Sequence, residues 1–189
     1  MLYQFRRRLY HLIPKLNVEY VYTHNLKNVS QKDCRIPVEV FKLSLKNIHR
    51  IVEVKKIPLD KLRKRLERGD FCYVTQVEGK LISYHWVQFT GTHFIQQAGR
   101  SIEVEPGDFW IYHTRVSEKF RGNGINGKVL SDLILEAKRN NHQQALIYTN
   151  KNNISNRKGL EKLGFKLRDV IYSYEMNRKF HQVYKKKIT

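Results

Sequence analysis

The stretch FWIYHTRVSEKFRGNGING, residues 109–127, joins an apolar run to a glycine-rich turn. Residues 109–116 have the apolar and β-branched character of a strand, and an amphipathic segment follows at residues 127–140. A strand, a glycine-rich turn and a helix in this order direct backbone N–H groups and a helix N-terminus at one place. The stretch therefore predicts an anion-binding turn between a strand and a helix.

The composition indicates one domain with an unusually basic surface. The chain has 189 residues, 41% of them hydrophobic, which is enough for a packed core. Its 36 Lys and Arg against 17 Asp and Glu give a net charge of +19, which attracts polyanions such as nucleic acid or anionic lipid but names no partner. The apolar runs are of strand length, so we expect no transmembrane helix and no secretory signal. Cys34 and Cys72 lack metal-type spacing and favour a reducing cytoplasm.

A basic amphipathic helix is predicted over residues 1–13, where apolar side chains form a stripe and an arginine triplet lies largely off it. Such a helix can lie on an anionic membrane surface. Its stripe can equally pack on its own domain or on a second subunit, so a dimer stays open. We therefore expect an appended segment at residues 1–30, formed by this helix and a short strand, and one domain at residues 31–189.

Strand and helix patterns alternate along the remaining chain. Strand patterns occur at residues 17–23, 37–44, 71–77, 81–89, 93–98, 101–105, 109–116 and 145–148 and within 165–176. Helical spacing occurs at residues 45–56, 58–68, 127–140 and 153–163. The basic side chains of the first two helices are interpreted as a solvated face. Tight glycine turns between successive strands predict an antiparallel meander, so we expect a mixed α/β (α+β) domain.

Two segments carry a resemblance to a known family. Residues 116–126, VSEKFRGNGIN, resemble the CoA-binding motif V-x-P-x-x-R-G-x-G-I-G of the GNAT superfamily of N-acyltransferases. Glu118 stands where proline is common, and Asn126 stands at the last glycine of the motif. Residues 153–165, NISNRKGLEKLGF, are similar to the closing segment of the family, N-x-x-A/S followed by E-K-x-G-F. The resemblance covers residues 36 to 176 and implies a GNAT-like central mixed, mostly antiparallel sheet of about six to seven strands flanked by helices.

The resemblance implies that acetyl-CoA, or another acyl-CoA, is the co-substrate and that no metal takes part. A neutral amine attacks the thioester directly, with a base for the amine, a backbone donor for the oxyanion and an acid for the thiolate. The turn binds the pyrophosphate and the strand pairs with the pantetheine arm. The residues that match these cofactor-binding positions are Thr114, Arg115, Val116, Arg121, Gly122, Asn123, Gly124, Ile125, Asn126, Gly127 and Asn153.

Strand alternation places Trp110, Tyr112 and Thr114 on one face, and His113 and Arg115 on the other. In relatives, the face that holds positions 110 and 112 points at the acceptor. We therefore take Tyr112 as a catalytic candidate and Trp110 as a substrate-contacting wall. Alternation makes His113 a hydrogen-bonded core residue.

Two further positions bear on catalysis. Asp108, one step before the strand, is the second catalytic candidate, although it can be only a turn residue. Many relatives have a tyrosine acid seven positions after the asparagine of the closing segment, and this chain has Leu160 there. Tyr148, Ser155 or water could take that part.

The resemblance implies an acyl-CoA-dependent N-acyltransferase that transfers an acetyl group to a primary amine of a small molecule. An amino sugar or an envelope-polysaccharide intermediate suits a basic enzyme in the cytoplasm, peripheral to the inner face of the membrane. One alternative is a macromolecular acceptor, such as a protein N-terminus, a lysine or an aminoacyl-tRNA. Another is a non-catalytic module on the same fold that binds CoA, a membrane or nucleic acid.

Overall fold

The computed structural model describes residues 15–176 and 179–188 of the chain. The helix predicted over residues 1–13 lies outside these ranges. None of the helices in the described ranges has both the length and the apolar character needed to cross a membrane.

An eight-stranded sheet runs through the molecule in the order β10-β9-β1-β8-β7-β4-β3-β2, and β5 and β6 form a separate hairpin. Neighbouring strands of the large sheet are antiparallel except β7 and β8, which are parallel. The strands are β1 (Lys15–His24), β2 (Glu39–Lys42), β3 (Phe71–Val77), β4 (Lys80–Gln88), β5 (Thr92–Ile95), β6 (Arg100–Glu103), β7 (Asp108–Val116), β8 (Gln144–Asn150), β9 (Lys166–Met176) and β10 (Lys179–Lys187).

In the described residues the sheet is accompanied by three α-helices: α1 (Leu59–Glu67), α2 (Ile125–Arg139) and α3 (Ile154–Lys162). The helical spacing predicted at residues 45–56 corresponds to a 3-10 helix, Ile48–Glu53. Shorter 3-10 turns occur at Gln96–Ala98 and Glu118–Phe120. The predicted mixed, mostly antiparallel sheet with flanking helices is confirmed, with eight strands in the main sheet instead of six or seven.

The two faces of the sheet are covered by different elements. On one face, apolar residues of α2 and α3 form a single buried cluster with β4, β7 and β8. On the other face, Leu62 of α1 packs in a cluster with Trp86 and Tyr112, and Ile95 of the hairpin packs in a cluster with Trp110. Half-buried Tyr148 packs against both of these clusters. The second face, where the 3-10 helix Ile48–Glu53 packs beside α1 and the hairpin, carries most of the chemistry described below.

The first described strand lies in the interior of the sheet, where the sequence had suggested an appendage. β1 pairs with β8 on one side, with Glu19 opposite Asn150, and with β9 on the other side, with Val18 opposite Tyr172. The boundary expected at residue 30 therefore does not separate β1 from the domain. β10, which the sequence pattern did not indicate as a strand, adds an antiparallel edge to β9.

Candidate active site

β7 and β8 run side by side for only four residue pairs and then separate. Their pairing ends where Ile111 lies opposite Ile147. β7 continues to Val116 and β8 to Asn150, and no pairing joins these ends within the described residues. Backbone N–H and C=O groups need partners. The gap therefore leaves the inner edge of β7 available to an extended ligand.

The glycine-rich turn after β7 leads directly into the N-terminus of α2. Gly122 and Gly124 have φ angles of +84° and +80°, in the left-handed region that favours glycine. Gly124 is the N-cap residue, and no side chain of the described residues caps this helix. The N–H groups of Ile125, Asn126 and Gly127 lie in the first turn, where a helix offers them no acceptor. Several backbone donors thus converge where an anion can bind.

A cleft of about 990 Å³ opens between the turn, the separated end of β7 and α3. Every residue that the sequence motif assigns to the cofactor lines this cleft except Asn123, whose Nδ2 donates to the carbonyl of Phe120 at 3.2 Å. Four cations and one carboxylate belong to the lining: Lys32, Arg115, Arg121, Lys162 and Asp33. The excess of positive charge suits a polyanionic ligand.

Three glycines keep part of the cleft free of side chains. A Cβ atom at Gly122, Gly127 or Gly159 would meet no other atom within 4 Å. At Gly124 the Cβ would approach the carbonyl oxygen of Asp33 to 3.3 Å, so this glycine is required for the backbone path. The open glycines provide the close backbone approach that a pyrophosphate needs.

Asn126, which replaces the last glycine of the motif, has a structural partner. Its Oδ1 lies 2.9 Å from Nε2 of His85, a buried residue of β4, and its Nδ2 donates to Asn156 of α3. Because Oδ1 only accepts, Nε2 carries the hydrogen. Burial lowers the pKa of His85 to about 4, so the imidazole is neutral at neutral pH. The pair ties the start of α2 to the sheet and to α3.

A β-bulge breaks the alternation of side chains along β7. Trp86 of β4 lies opposite Tyr112, and Tyr84 lies opposite Arg115, so two residues of β7 face one of β4 between these pairs. His113 takes the extra position with a φ angle of +46°. The prediction that Arg115 and Tyr112 lie on opposite faces is wrong, because the bulge turns Arg115 to the Tyr112 face and Thr114 away from it.

The bulge also moves His113 out of the core. Its side chain is exposed and meets the ring of Tyr112 edge-on, with centroids 5.6 Å apart. Desolvation in the concave site, followed by the positive charges of Arg65 and Lys55, lowers the pKa of His113 to about 4. The prediction of a hydrogen-bonded core histidine is therefore wrong.

Tyr112 donates its hydroxyl hydrogen to a buried carboxylate. The acceptor is Oδ2 of Asp70, which follows α1 and is only 3% exposed. Arg68 binds the same carboxylate with two nitrogens, at 3.1 and 2.5 Å. Desolvation and then the bond to Asp70 raise the pKa of Tyr112 far above its ordinary value. A phenol needs a lowered pKa to act as a base, so the structure does not support Tyr112 in that role.

Tyr112→Phe is expected to lower the free energy of unfolding by about 1–3 kcal/mol, because Asp70 stays buried with one partner fewer. Urea denaturation measures this loss. Tyr84→Phe is a matched control, since it removes a hydroxyl from the same cluster without affecting Asp70. Equal stability of wild type and Tyr112→Phe would contradict the structural role. A fall in turnover with unchanged stability would return the hydroxyl to the chemistry.

Trp110 is fully buried and cannot contact an acceptor directly. The ring of His93, from β5, stacks on it with an interplanar angle of 11° and a centroid distance of 4.9 Å. Nδ1 of His93 bonds Oε1 of Gln88, and Nε2 is buried without a partner among the described residues. Burial, followed by Arg68, lowers the pKa of His93 to about 3. Trp110 therefore does not form the expected substrate-contacting wall, because its ring is covered by His93, which is itself only 3% exposed.

The second catalytic candidate, Asp108, lies away from the gap. Asp108 begins β7 opposite Gln144, at the paired end, whereas the strands separate only after Ile111. Its position corrects the prediction of a catalytic role. Leu160 is fully buried in the core beside α2, so no acid occupies the position of the tyrosine. Ser155 lines the cleft, and Tyr148 lies on β8 beyond the last pair with β7.

Glu19 is a buried carboxylate that the sequence interpretation missed. It lies on β1 opposite Asn150, at the separated end of β8, and is 3% exposed. The amides of Asn17 and Asn150 each donate to its Oε1 at 3.1 Å. Burial raises the pKa of Glu19, only partly offset by these bonds. The sequence feature that could have indicated it is a single carboxylate within a strand pattern, with an asparagine two positions before it.

No protein-family model matches the sequence, and no curated protein sequence matches it. Solved structures do match. A GCN5-related N-acetyltransferase from Sphaerobacter thermophilus is 11% identical with a TM-score of 0.63, covering 100% of this chain and 57% of its own. A protein of Novosphingobium aromaticivorans assigned to the GNAT family is 11% identical with a TM-score of 0.62, covering 90% and 66%.

A GNAT-family acetyltransferase from Colwellia psychrerythraea is 19% identical with a TM-score of 0.54, covering 87% of this chain and 58% of its own. The chain thus spans 57–66% of the length of these three structures. At this level of identity the likeness concerns the fold.

Proposed function

We propose that this chain, whose fold is that of the GNAT N-acetyltransferases, transfers an acyl group from acyl-CoA to the primary amine of a small molecule. The observation that supports this proposal most strongly is the cleft at the N-terminus of α2. There, uncapped backbone donors, three open glycines and the free edge of β7 lie together. Acetyl-CoA is the proposed donor.

The donor fits the cleft in two parts. The pyrophosphate lies against the N–H groups of residues 125–127, where the helix dipole and the positive lining favour it. The pantetheine arm extends between the separated strands and pairs with the backbone of β7 at residues 114–116. In this arrangement the thioester lies near the β-bulge, at the level of Tyr148 and Asn150, which follow the last pair of β8 with β7.

Glu19 is the proposed general base. Its carboxylate lies on β1, the strand next to β8, and accepts a hydrogen bond from Asn150, two residues after Tyr148 on β8. The acceptor ammonium gives one proton to Glu19, and the neutral nitrogen then attacks the thioester carbon. The C–S bond breaks, and the thiolate takes a proton as the new amide loses its second one. The raised pKa brings this carboxylate nearer to neutral pH, where a base works best.

The acceptor approaches from the face covered by α1 and the hairpin. Arg65 of α1 and His93 of the hairpin both contact Tyr112, with ring or guanidinium centres 5.2 and 5.0 Å from its ring. Two covering elements so close together leave room for a small amine more readily than for a folded protein surface. Because a net charge of +19 attracts RNA, an amine carried by RNA is the alternative acceptor to compare with a small amine.

Release of free thiol from acetyl-CoA, measured with a panel of small amines, tests the proposal. We expect turnover with at least one amine and saturable CoA binding by calorimetry. A protein N-terminal peptide and an aminoacyl-tRNA belong in the same panel. CoA binding without turnover of any acceptor would point to the non-catalytic alternative, and failure to bind CoA would reject the donor site itself.

A further inference from the structure

Arg65 is a half-buried cation on the acceptor face whose Nη1 has no hydrogen-bond partner among the described residues. It projects from α1 between two aromatic rings, with its guanidinium carbon 5.1 Å from the centroid of Trp86 and 5.2 Å from that of Tyr112. These rings fix the guanidinium in place and desolvate it. A buried donor without an acceptor is costly, and a charged one is more costly still.

The two buried carboxylates described above are already engaged elsewhere. Asp70 is bound by Arg68 and Tyr112, and Glu19 is bound by two asparagine amides. Arg65 is not among the cations that form an ion pair within the described residues. Its charge is instead felt by the surrounding neutral groups. It lowers the pKa of Tyr148 and Tyr84, although burial raises both overall.

Two further arginines lie on the same face as Arg65. The bulge turns Arg115 to this face opposite Tyr84, whose pKa it lowers against the larger effect of burial. The side chain of Arg68 is 48% exposed although two of its nitrogens bind Asp70. Arg65 is thus the half-buried centre of a basic site, with Arg68 and Arg115 as partly exposed cations around it.

We propose that Arg65 binds an anionic group, a carboxylate or a phosphate, on the amine acceptor. The planar fork of arginine suits both groups, which can accept two parallel hydrogen bonds. The amine to be acylated would then lie towards Tyr148 and Glu19, with the anion held at α1. This inference rests on the proposed function and narrows its acceptor to amino acids or phosphorylated amines. Polyamines and amines without an anionic group have no acceptor for Arg65 and should bind more weakly.

Matched pairs of amines test the proposal in protein saturated with CoA, which fills the phosphate-binding turn. The pairs are O-phosphoethanolamine with ethanolamine, glucosamine 6-phosphate with glucosamine, and glycine with glycinamide, measured by calorimetry and by thiol release from acetyl-CoA. We expect the anionic member of at least one pair to bind about 10- to 100-fold more tightly, the range of a charge-assisted hydrogen bond. The phosphate and carboxylate pairs distinguish the two sources of the anion.

Arg65→Met keeps an apolar stem between the two rings and should reduce the preference to about twofold or less, without weakening CoA binding. Arg63→Met, at an exposed position of the same helix, should keep the preference. If Arg65→Met does not fold, Arg65→Lys retains the charge but not the fork, and a smaller preference is expected. Equal binding within every pair, absence of binding by both members, or an unchanged preference in the Arg65 variants would overturn the proposal. Loss of CoA binding by the wild type would instead reject the proposed function.

Discussion

Gly127→Glu is expected to weaken CoA binding by about 100-fold or more while leaving the protein as stable as wild type or more so. Gly127 is the third residue of α2, and a Cβ there meets no other atom within 4 Å. A glutamate at this position of a helix reaches back to the free N–H groups of the first turn. The introduced carboxylate would therefore occupy the donors that we assign to the pyrophosphate and would repel it.

Calorimetry with CoA and thermal unfolding of the same samples separate the two effects. Gly127→Gln is the matched control, because it fills nearly the same space without a charge and should lose less affinity. A negative charge near a helix N-terminus contributes about 0.3–1 kcal/mol, and replacing a helical glycine contributes a similar amount. Unchanged CoA affinity in a stable Gly127→Glu protein would reject this placement of the donor.

Glu19→Gln is expected to lower kcat by about 10²- to 10⁴-fold, the usual contribution of a general base, with little change in CoA affinity. The amide has nearly the shape of the carboxylate but cannot take a proton. Glu103→Gln, at an exposed position of β6 in the hairpin on the same face, is the control and should leave turnover unchanged. Full turnover by Glu19→Gln would remove this carboxylate from the mechanism.

The pH dependence gives a second measurement on Glu19. Its pKa is raised by burial, so kcat/KM of the wild type should rise with pH through this raised value and then level off, and Glu19→Gln should lose that rise. The free energy of unfolding should depend on pH in the opposite direction. Burial disfavours the charged form, so the stability linked to Glu19 is present at low pH and is lost as pH rises through the raised pKa. Glu19→Gln should therefore not lower the unfolding temperature at neutral pH.

The elements of the fold were predictable from local periodicity, and their arrangement was only partly so. The apolar spacing of α2 and the glycines that precede it lie within a few residues of each other, so the sequence shows them directly. The place of β1 depends on pairing with strands more than 100 residues away, which no local pattern encodes. β10 was missed because its lysine-rich sequence has little of the apolar alternation that marks a strand.

The proposed donor site was more predictable than the proposed acceptor site for the same reason. The residues of the turn are consecutive, whereas Glu19, Arg65 and Asp70 come from three different elements. The bulge could not be predicted from the sequence. Its residue with a positive φ angle is a histidine, whereas a glycine at that position would have indicated an irregular backbone. Arg65 was interpreted as part of a solvated face, and only the packing of α1 on Trp86 shows that it is half-buried.

The interior position of β1 has a consequence for how the chain is made. Asn17 on β1 meets Ser173 on β9, 156 residues further along the sequence. At a ribosomal rate of about 5–20 residues per second, β1 would wait roughly 10–30 s before its later neighbour is synthesised. For most of that time its valines and tyrosines have no partner strand, because β8, its other neighbour, is also made more than 100 residues later. Chaperones protect such exposed segments. β1 would thus be among the last strands to pair in the sheet, and pairing over this sequence distance favours slow folding.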